Sequence, residues 1–236
     1  MTLGIMQPYL FPYLGYFSIV ENVDRFVFFD TPQYIRKGWI NRNRILSSNN
    51  EAIFFTVPVR KAERSTQIKE VCINNQTNWP KKITGQLGRY SKAPYYDAVF
   101  ERVSSVINNK KIQSICDMAI QSIRVCSDYI GIDTKFDIFS RMDMNLPKVN
   151  SPDEWALYIT KAAGGDAYIN PPGGESFFDR KKYEREGIKL SFLKQVFTEY
   201  QQFGNVFLPG LSIIDVMMFN SPGEIKKMLH NYELIF

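Results

Sequence analysis

Three groups of residues have the types and spacing to recognise a small molecule. The first is Gln7, Tyr9, Tyr13 and Tyr16, set in Gln7-Pro-Tyr-Leu-Phe-Pro-Tyr-Leu-Gly-Tyr16. Its two prolines forbid regular structure, and its crowded rings suit one wall of a pocket. An aromatic plug that only closes the core is the alternative. The second group is Gln33, Tyr34, Lys37, Trp39, Asn41, Arg42 and Arg44, all within 31–45. An arginine fork matches a phosphate or carboxylate in bidentate geometry, while Trp and Tyr can stack on a base or sugar ring. A solvated basic loop is the bland reading. The third group is scattered. Asp30 and Asn170 each end an apolar run and could orient hydroxyls, an amine, a ribose or a metal, although capping a turn is commoner. Gly173-Gly174 could bring main-chain N–H groups to a phosphate. Lys92, beside Pro94-Tyr95, could touch substrate. Asp215 is a reserve base, against the usual role of a first-turn helix charge.

Histidine usage narrows the chemistry. His230 is the one histidine, placed on the surface of the last helix. A Ser-His-Asp triad, a Cys-His pair or a multi-histidine metal site lacks material, and no metal ligand set is assigned. An enzyme built from this chain would use Asp30, Lys37, Arg42 and Asp215, with Tyr, Asn and main-chain groups beside them.

The elements that must position these residues read as α/β. A short apolar run ends at Gln7, and 24–30 is a nearly continuous apolar strand of the kind covered on both faces. About 17 residues separate the two, above the ~10–12 that a crossover needs, so the pair can be parallel. The aromatic loop and the 31–45 loop then share the carboxyl edge of the sheet, where open α/β sheets bind ligands. Further strands are expected at 52–59, 69–73 and 136–140, and a helical insertion at 79–130. Ser151-Pro-Asp-Glu154 predicts a helix start with Ser151 as cap. A strand at 166–170, a helix opened by Ser176 and Asp179, and a strand at 188–193 follow. Ser212 and Ser221 each predict another helix start. The expected whole is one α/β domain over 1–236, a mainly parallel, Rossmann-like or nucleotidylyltransferase-like sheet flanked by helices.

Composition allows a proper core, with 44% hydrophobic and 22% charged residues in 236. The net charge of +5 is spread out and no nucleic-acid motif appears, so an anionic small substrate is the better partner. No apolar run approaches the roughly 20 residues of a membrane span. With no secretory leader pattern, a cytoplasmic setting is expected. Cys72, Cys116 and Cys126 read as reduced, buried thiols. The last two are about 15 Å apart along one predicted helix, too far to bridge.

Taken together, Gln7 to Tyr16, Gln33-Tyr34 with Lys37 to Arg44, Lys92-Ala-Pro-Tyr95, Tyr168-Ile-Asn-Pro171 with Gly173-Gly174, and Leu211 to Asp215 with Met218-Phe-Asn220 resemble the WbqC-like family, in order along nearly the whole chain. The resemblance implies a role in bacterial O-antigen and polysaccharide biosynthesis, with a glycine transferase activity suggested for a member. It also implies that the five stretches form one site. A looser likeness is positional. Tyr13-Leu-Gly-Tyr16 has the spacing of the HxGH signature of some nucleotidylyl-transfer enzymes, with Tyr for both histidines.

The expected function is therefore a transferase attaching glycine, or another small amino-acid or acyl group, to a sugar or nucleotide sugar. Amide formation needs an activated carboxylate, which implies ATP with Mg or an aminoacyl donor. In this scheme Lys37, Arg42 and Arg44 hold an anion, Tyr9, Tyr13, Tyr16 and Trp39 stack on a ring, and Asp30, Asn41 and Asn170 orient the acceptor. The alternative is a non-catalytic nucleotide- or sugar-binding accessory protein of a biosynthetic complex.

Overall fold

Strand β1 (Thr2–Met6) alternates cleanly, and the rest of the fold is arranged on its two faces. Leu3 and Ile5 enter one apolar cluster, while Met6 enters the other. Gly4 lies on the Met6 face, where helix α1 (Leu14–Glu21) crosses. A Cβ at Gly4 would stand 2.9 Å from Phe26 Cδ2 and 3.1 Å from Ile19 Cγ2, so glycine sets how closely the helix approaches. The computed structural model describes residues 1–204 and 206–236.

The main sheet has six strands. Its order is β5 (Lys135–Ile138), β2 (Arg25–Phe28), β1, β6 (Ala167–Asn170), β7 (Lys189–Gln195) and β8 (Tyr232–Ile235). The first five are parallel, and β8 is antiparallel to β7. The expected α/β fold with a mainly parallel sheet is what the chain adopts. From β1 the chain winds outward to β2 and β5 on one side, then returns to β6 and β7 on the other. The seam between β1 and β6 is thus the point where strand order reverses, and crevices open there at the carboxyl ends.

The larger cluster joins α1, α2 (Trp79–Leu87), α3 (Tyr96–Ile107), α4 (Ile115–Ile130), α7 (Ile213–Phe219) and α8 (Pro222–Leu229). The opposite face is covered by α5 (Glu154–Ala162) and α6 (Arg180–Arg185), through Leu157, Ile159 and Tyr183. Capping follows side-chain chemistry. Ser114, Ser212 and Ser221 each accept main-chain N–H groups at a helix start, and Gly131 closes α4 at φ +82.

Several expectations are corrected. The second half of the 31–45 stretch is strand β3 (Arg42–Leu46), paired antiparallel with β4 (Ala52–Thr56). The 69–73 strand is replaced by a 3-10 turn at Ile68–Glu70 and two isolated bridges. Helix α5 begins at Glu154 with Asp153, not Ser151, as its cap residue; the Glu154 carboxylate instead accepts the N–H groups of Asn150 at 2.7 Å and Ser151 at 3.2 Å. Residues Pro172–Phe177 form a 3-10 turn, and Asp179 caps α6. Strand β8 adds an antiparallel edge beyond the expected elements. Cys116 and Cys126 are buried free thiols, but Cys72 is exposed.

Candidate functional site

The loop after β1 is held from four sides. Ser122 of α4 accepts the Phe11 N–H at 2.9 Å, and Asn43 Nδ2 of β3 donates to the Leu10 and Phe11 carbonyls. The Ser212 hydroxyl donates to the Phe11 carbonyl at 2.7 Å, and the Leu10 N–H donates to the Trp39 carbonyl at 3.1 Å. Fully buried Phe11 sits at φ +42, a conformation that a bulky residue keeps only when its surroundings impose it. The loop is therefore a rigid wall.

Two adjoining cavities open at the β1–β6 seam. The first, of about 560 Å³, is lined by Gln7, Tyr9, Phe29, Thr31, Trp155, Tyr168, Asn170, Gly173, Gly174 and Phe177, among others. The second, of about 410 Å³, is lined by Tyr9, Tyr13, Trp39, Asn43, Arg44, Phe197 and Gly210. Met6, Tyr9 and Pro171 line both and form the partition. Asn170 is oriented within this wall, its Oδ1 accepting the Tyr168 hydroxyl at 2.7 Å and its Nδ2 donating to the Pro171 carbonyl at 3.0 Å. A Cβ at Gly174 would stand 2.4 Å from that Nδ2, so the glycine keeps Asn170 in place.

Charge in the pair of cavities comes from one side chain. Arg44 donates through Nη2 to the Gly210 carbonyl at 3.2 Å, lies 5.7 Å from the Trp39 ring centroid, and carries a buried Nε with no acceptor among the described residues. No Asp, Glu, Lys or His among the described residues lines either cavity. Burial raises the Tyr9 and Tyr13 hydroxyls above the usual phenol value, so both stay neutral hydrogen-bonding groups. This donor set does not fit a magnesium nucleotide, which needs several cations for its phosphates and carboxylates for its metal. It fits an uncharged ring with one anionic substituent.

The other sequence-predicted residues fall elsewhere, so the five stretches do not converge on a single site. Tyr16 is fully buried and donates to the Gln7 carbonyl, which places it behind the wall. Asp30 is 2% exposed and accepts the N–H and hydroxyl of Ser140. Tyr34 donates to Asn41 Oδ1 at 2.9 Å, and Asn41 donates in turn to the Val57 carbonyl; both are buried. Arg42 donates to the carbonyls of Lys37 and Gly38 and covers the Phe54 ring at 4.3 Å, so it braces its own loop. Lys37 and Gln33 are exposed outside both cavities, as is Lys92, and Tyr95 packs against the large cluster. Asp215 is fully buried, accepting from Tyr90 at 2.6 Å, Tyr200 at 2.7 Å and Gln202 at 2.8 Å. Burial raises its carboxyl above the ordinary range against those three donors. It ties α7 to the 3-10 segment carrying Tyr90 and to the 200–202 segment, and it lines neither cavity.

Thr31, Phe29, Trp155, Asn43 and Phe197 line the cavities without having been singled out. Phe197 had a readable signal, since it follows the carboxyl end of β7 as Gln7 follows β1. Trp155 had none, because only the packing of α5 brings it to the seam.

A mainly parallel α/β sheet with an aromatic crevice at its order-reversing seam makes the chain an open-sheet α/β protein. More narrowly, it belongs to the WbqC-like protein family, whose model matches residues 7–227. It is similar to the uncharacterized protein Rv1507c of Mycobacterium tuberculosis, 26% identical over 224 residues and 94% of each chain. No solved structure matches the chain significantly. Among the described residues, no helix is long and apolar enough to cross a membrane.

Proposed function

We propose that this chain acts in bacterial polysaccharide biosynthesis as a transferase, attaching glycine or another small amino-acid or acyl group to a sugar held at the β1–β6 seam. The observation that carries this reading is the division of the site into a neutral aromatic cavity and a neighbouring cavity with one guanidinium, Arg44. The first suits a sugar ring and the second a carboxylate or phosphate. The donor arrives already activated, because the cavities do not suit a magnesium nucleotide. An amine or hydroxyl of the sugar attacks the donor's carboxyl carbon. A C–N or C–O bond forms, the bond to the activating group breaks, and the nucleophile's proton leaves with that group or with water. Positioning supplies the rate enhancement.

The lack of a lining carboxylate, histidine or lysine favours a second reading, in which the same cavities bind a sugar or nucleotide sugar without turnover. One experiment separates the two. Melting shifts are recorded with neutral sugars, uronic acids, sugar phosphates and nucleotide sugars, and the best ligand is then incubated with an aminoacyl thioester and examined by mass spectrometry. A shift that Arg44→Ala removes, together with a covalent product, supports transfer. The same shift without product supports binding alone. No shift with any of the four classes overturns both.

A further inference from the structure

The turn Ile35–Gly38 closes through the Gly38 N–H donating to the Ile35 carbonyl at 3.2 Å. Its first residue, Ile35, is 59% exposed. Trp39 and Phe54 follow at 40% and 44% exposed, with ring centroids 6.1 Å apart. These are large apolar side chains on an exposed turn and the hairpin beside it.

Cations surround them. Arg36 and Lys37 are exposed within the turn. The Arg36 guanidinium donates to the Ala62 carbonyl at 2.6 Å, and the Tyr34 N–H donates to the Thr66 carbonyl at 2.9 Å. These bonds fasten the turn to the 60–66 segment, which exposes Arg60, Lys61 and Arg64 against a single acid, Glu63. A solvated loop accounts for the charges but not for exposed Ile35 among them. A polyanion would meet the cations and gain nothing from the apolar tips. An anionic bilayer surface uses both, since apolar and aromatic side chains enter the headgroup–acyl boundary while basic residues remain with the phosphates.

We infer that the Ile35–Trp39 turn, the Phe54 side of the hairpin and the 60–66 segment form a docking face for an anionic lipid surface. Trp39 also lines the second cavity, so docking brings the mouth of that cavity to the membrane. A sugar carried on a membrane lipid would be presented there. The inference stands on this face alone and does not require the transferase reading.

The test is flotation of the whole chain with phosphatidylcholine vesicles and with vesicles of equal phosphatidylcholine and phosphatidylglycerol. Binding is expected to the mixed vesicles only and to weaken with salt. Arg60→Gln with Lys61→Gln lowers the partition coefficient by roughly thirtyfold. Ile35→Ser also lowers it, by several-fold, while leaving the binding of soluble polyglutamate unchanged. All of these positions are exposed and outside both seam cavities, and circular dichroism melting verifies the fold of each variant. Equal binding to both vesicle types, no binding to either, or Ile35→Ser without effect overturns the proposal. So does polyglutamate binding as tight as vesicle binding, which would make the face a simple polyanion patch.

Discussion

The Tyr16 hydroxyl donates to the Gln7 carbonyl at 3.0 Å, joining the first turn of α1 to the residue that leaves β1. The bond closes the aromatic loop on itself. The wall of the first cavity is braced by a buried phenol behind it.

Tyr16→Phe removes that bond and leaves a carbonyl without its partner. A stability loss of about 1 kcal/mol is expected in urea unfolding, with faster amide exchange in the Gln7–Tyr13 loop. Unchanged stability would mean that the loop is held by Ser122, Asn43 and Ser212 alone.

Arg44 is the charged group at the paired cavities, and its removal separates ring recognition from anion recognition. For Arg44→Ala, calorimetry is expected to show roughly a tenfold to hundredfold loss of affinity for an anionic sugar. Affinity for the neutral counterpart should change little. Arg44→Lys recovers part of the loss, since an ammonium lacks the planar fork. Equal losses for both ligands would place the anion elsewhere.

Asp215 is a structural acceptor, and Asp215→Asn turns an amide N–H₂ toward groups that already donate. About 3 kcal/mol of stability should disappear. At a temperature where the variant remains folded, ligand affinity should stay within about twofold of the parent, as for other mutations remote from a site. An unchanged melting temperature with abolished turnover would instead restore Asp215 as a base.

Donation from the Asn150 N–H, joined by Ser151 and Lys182 and opposed by burial, holds the Glu154 carboxyl below its ordinary 4.5. A carboxyl with a folded pKa below its unfolded one stabilises the fold fully above pH 4.5. That contribution is lost as the pH falls through the folded value. Melting curves across this acid range should show a steep limb for the parent and a flatter one for Glu154→Gln. Parallel limbs would contradict the assignment.

How much of this was legible depends on how local the cause was. The β1–β2 pair could be read because a continuous apolar run at Phe26–Phe28 and a crossover-length spacing are both sequence features. That Asn170 ends a strand followed from its own apolar run, but the pairing of β6 with β1 rests on packing of residues as distant as Thr2 and Ala167 and left no local trace. Strand β3 was hidden because its inward residue Asn43 is polar, while Arg42 and Arg44 on the other side looked like loop chemistry. The roles of Arg42 and Arg44 diverge only through their acceptors, a neighbouring turn for one and Gly210 for the other. Asp215 looked like any first-turn acid, because Tyr90 and Tyr200 reach it from distant elements. Strand β8 carries only Tyr-Glu-Leu-Ile at the sheet edge, too short to announce itself.

The central place of β1 also sets an order of events during synthesis. Among the strands of this sheet it is made first, yet its second neighbour, β6, begins at Ala167. Until then one side of β1 is an open edge, with main-chain groups unpaired and available to another chain. Pairings this distant slow folding, and a chain stopped short of β6 is expected to aggregate. The β1–β6 seam is therefore absent from any chain stopped short of β6, and a compound that binds the seam cannot stabilise such a chain.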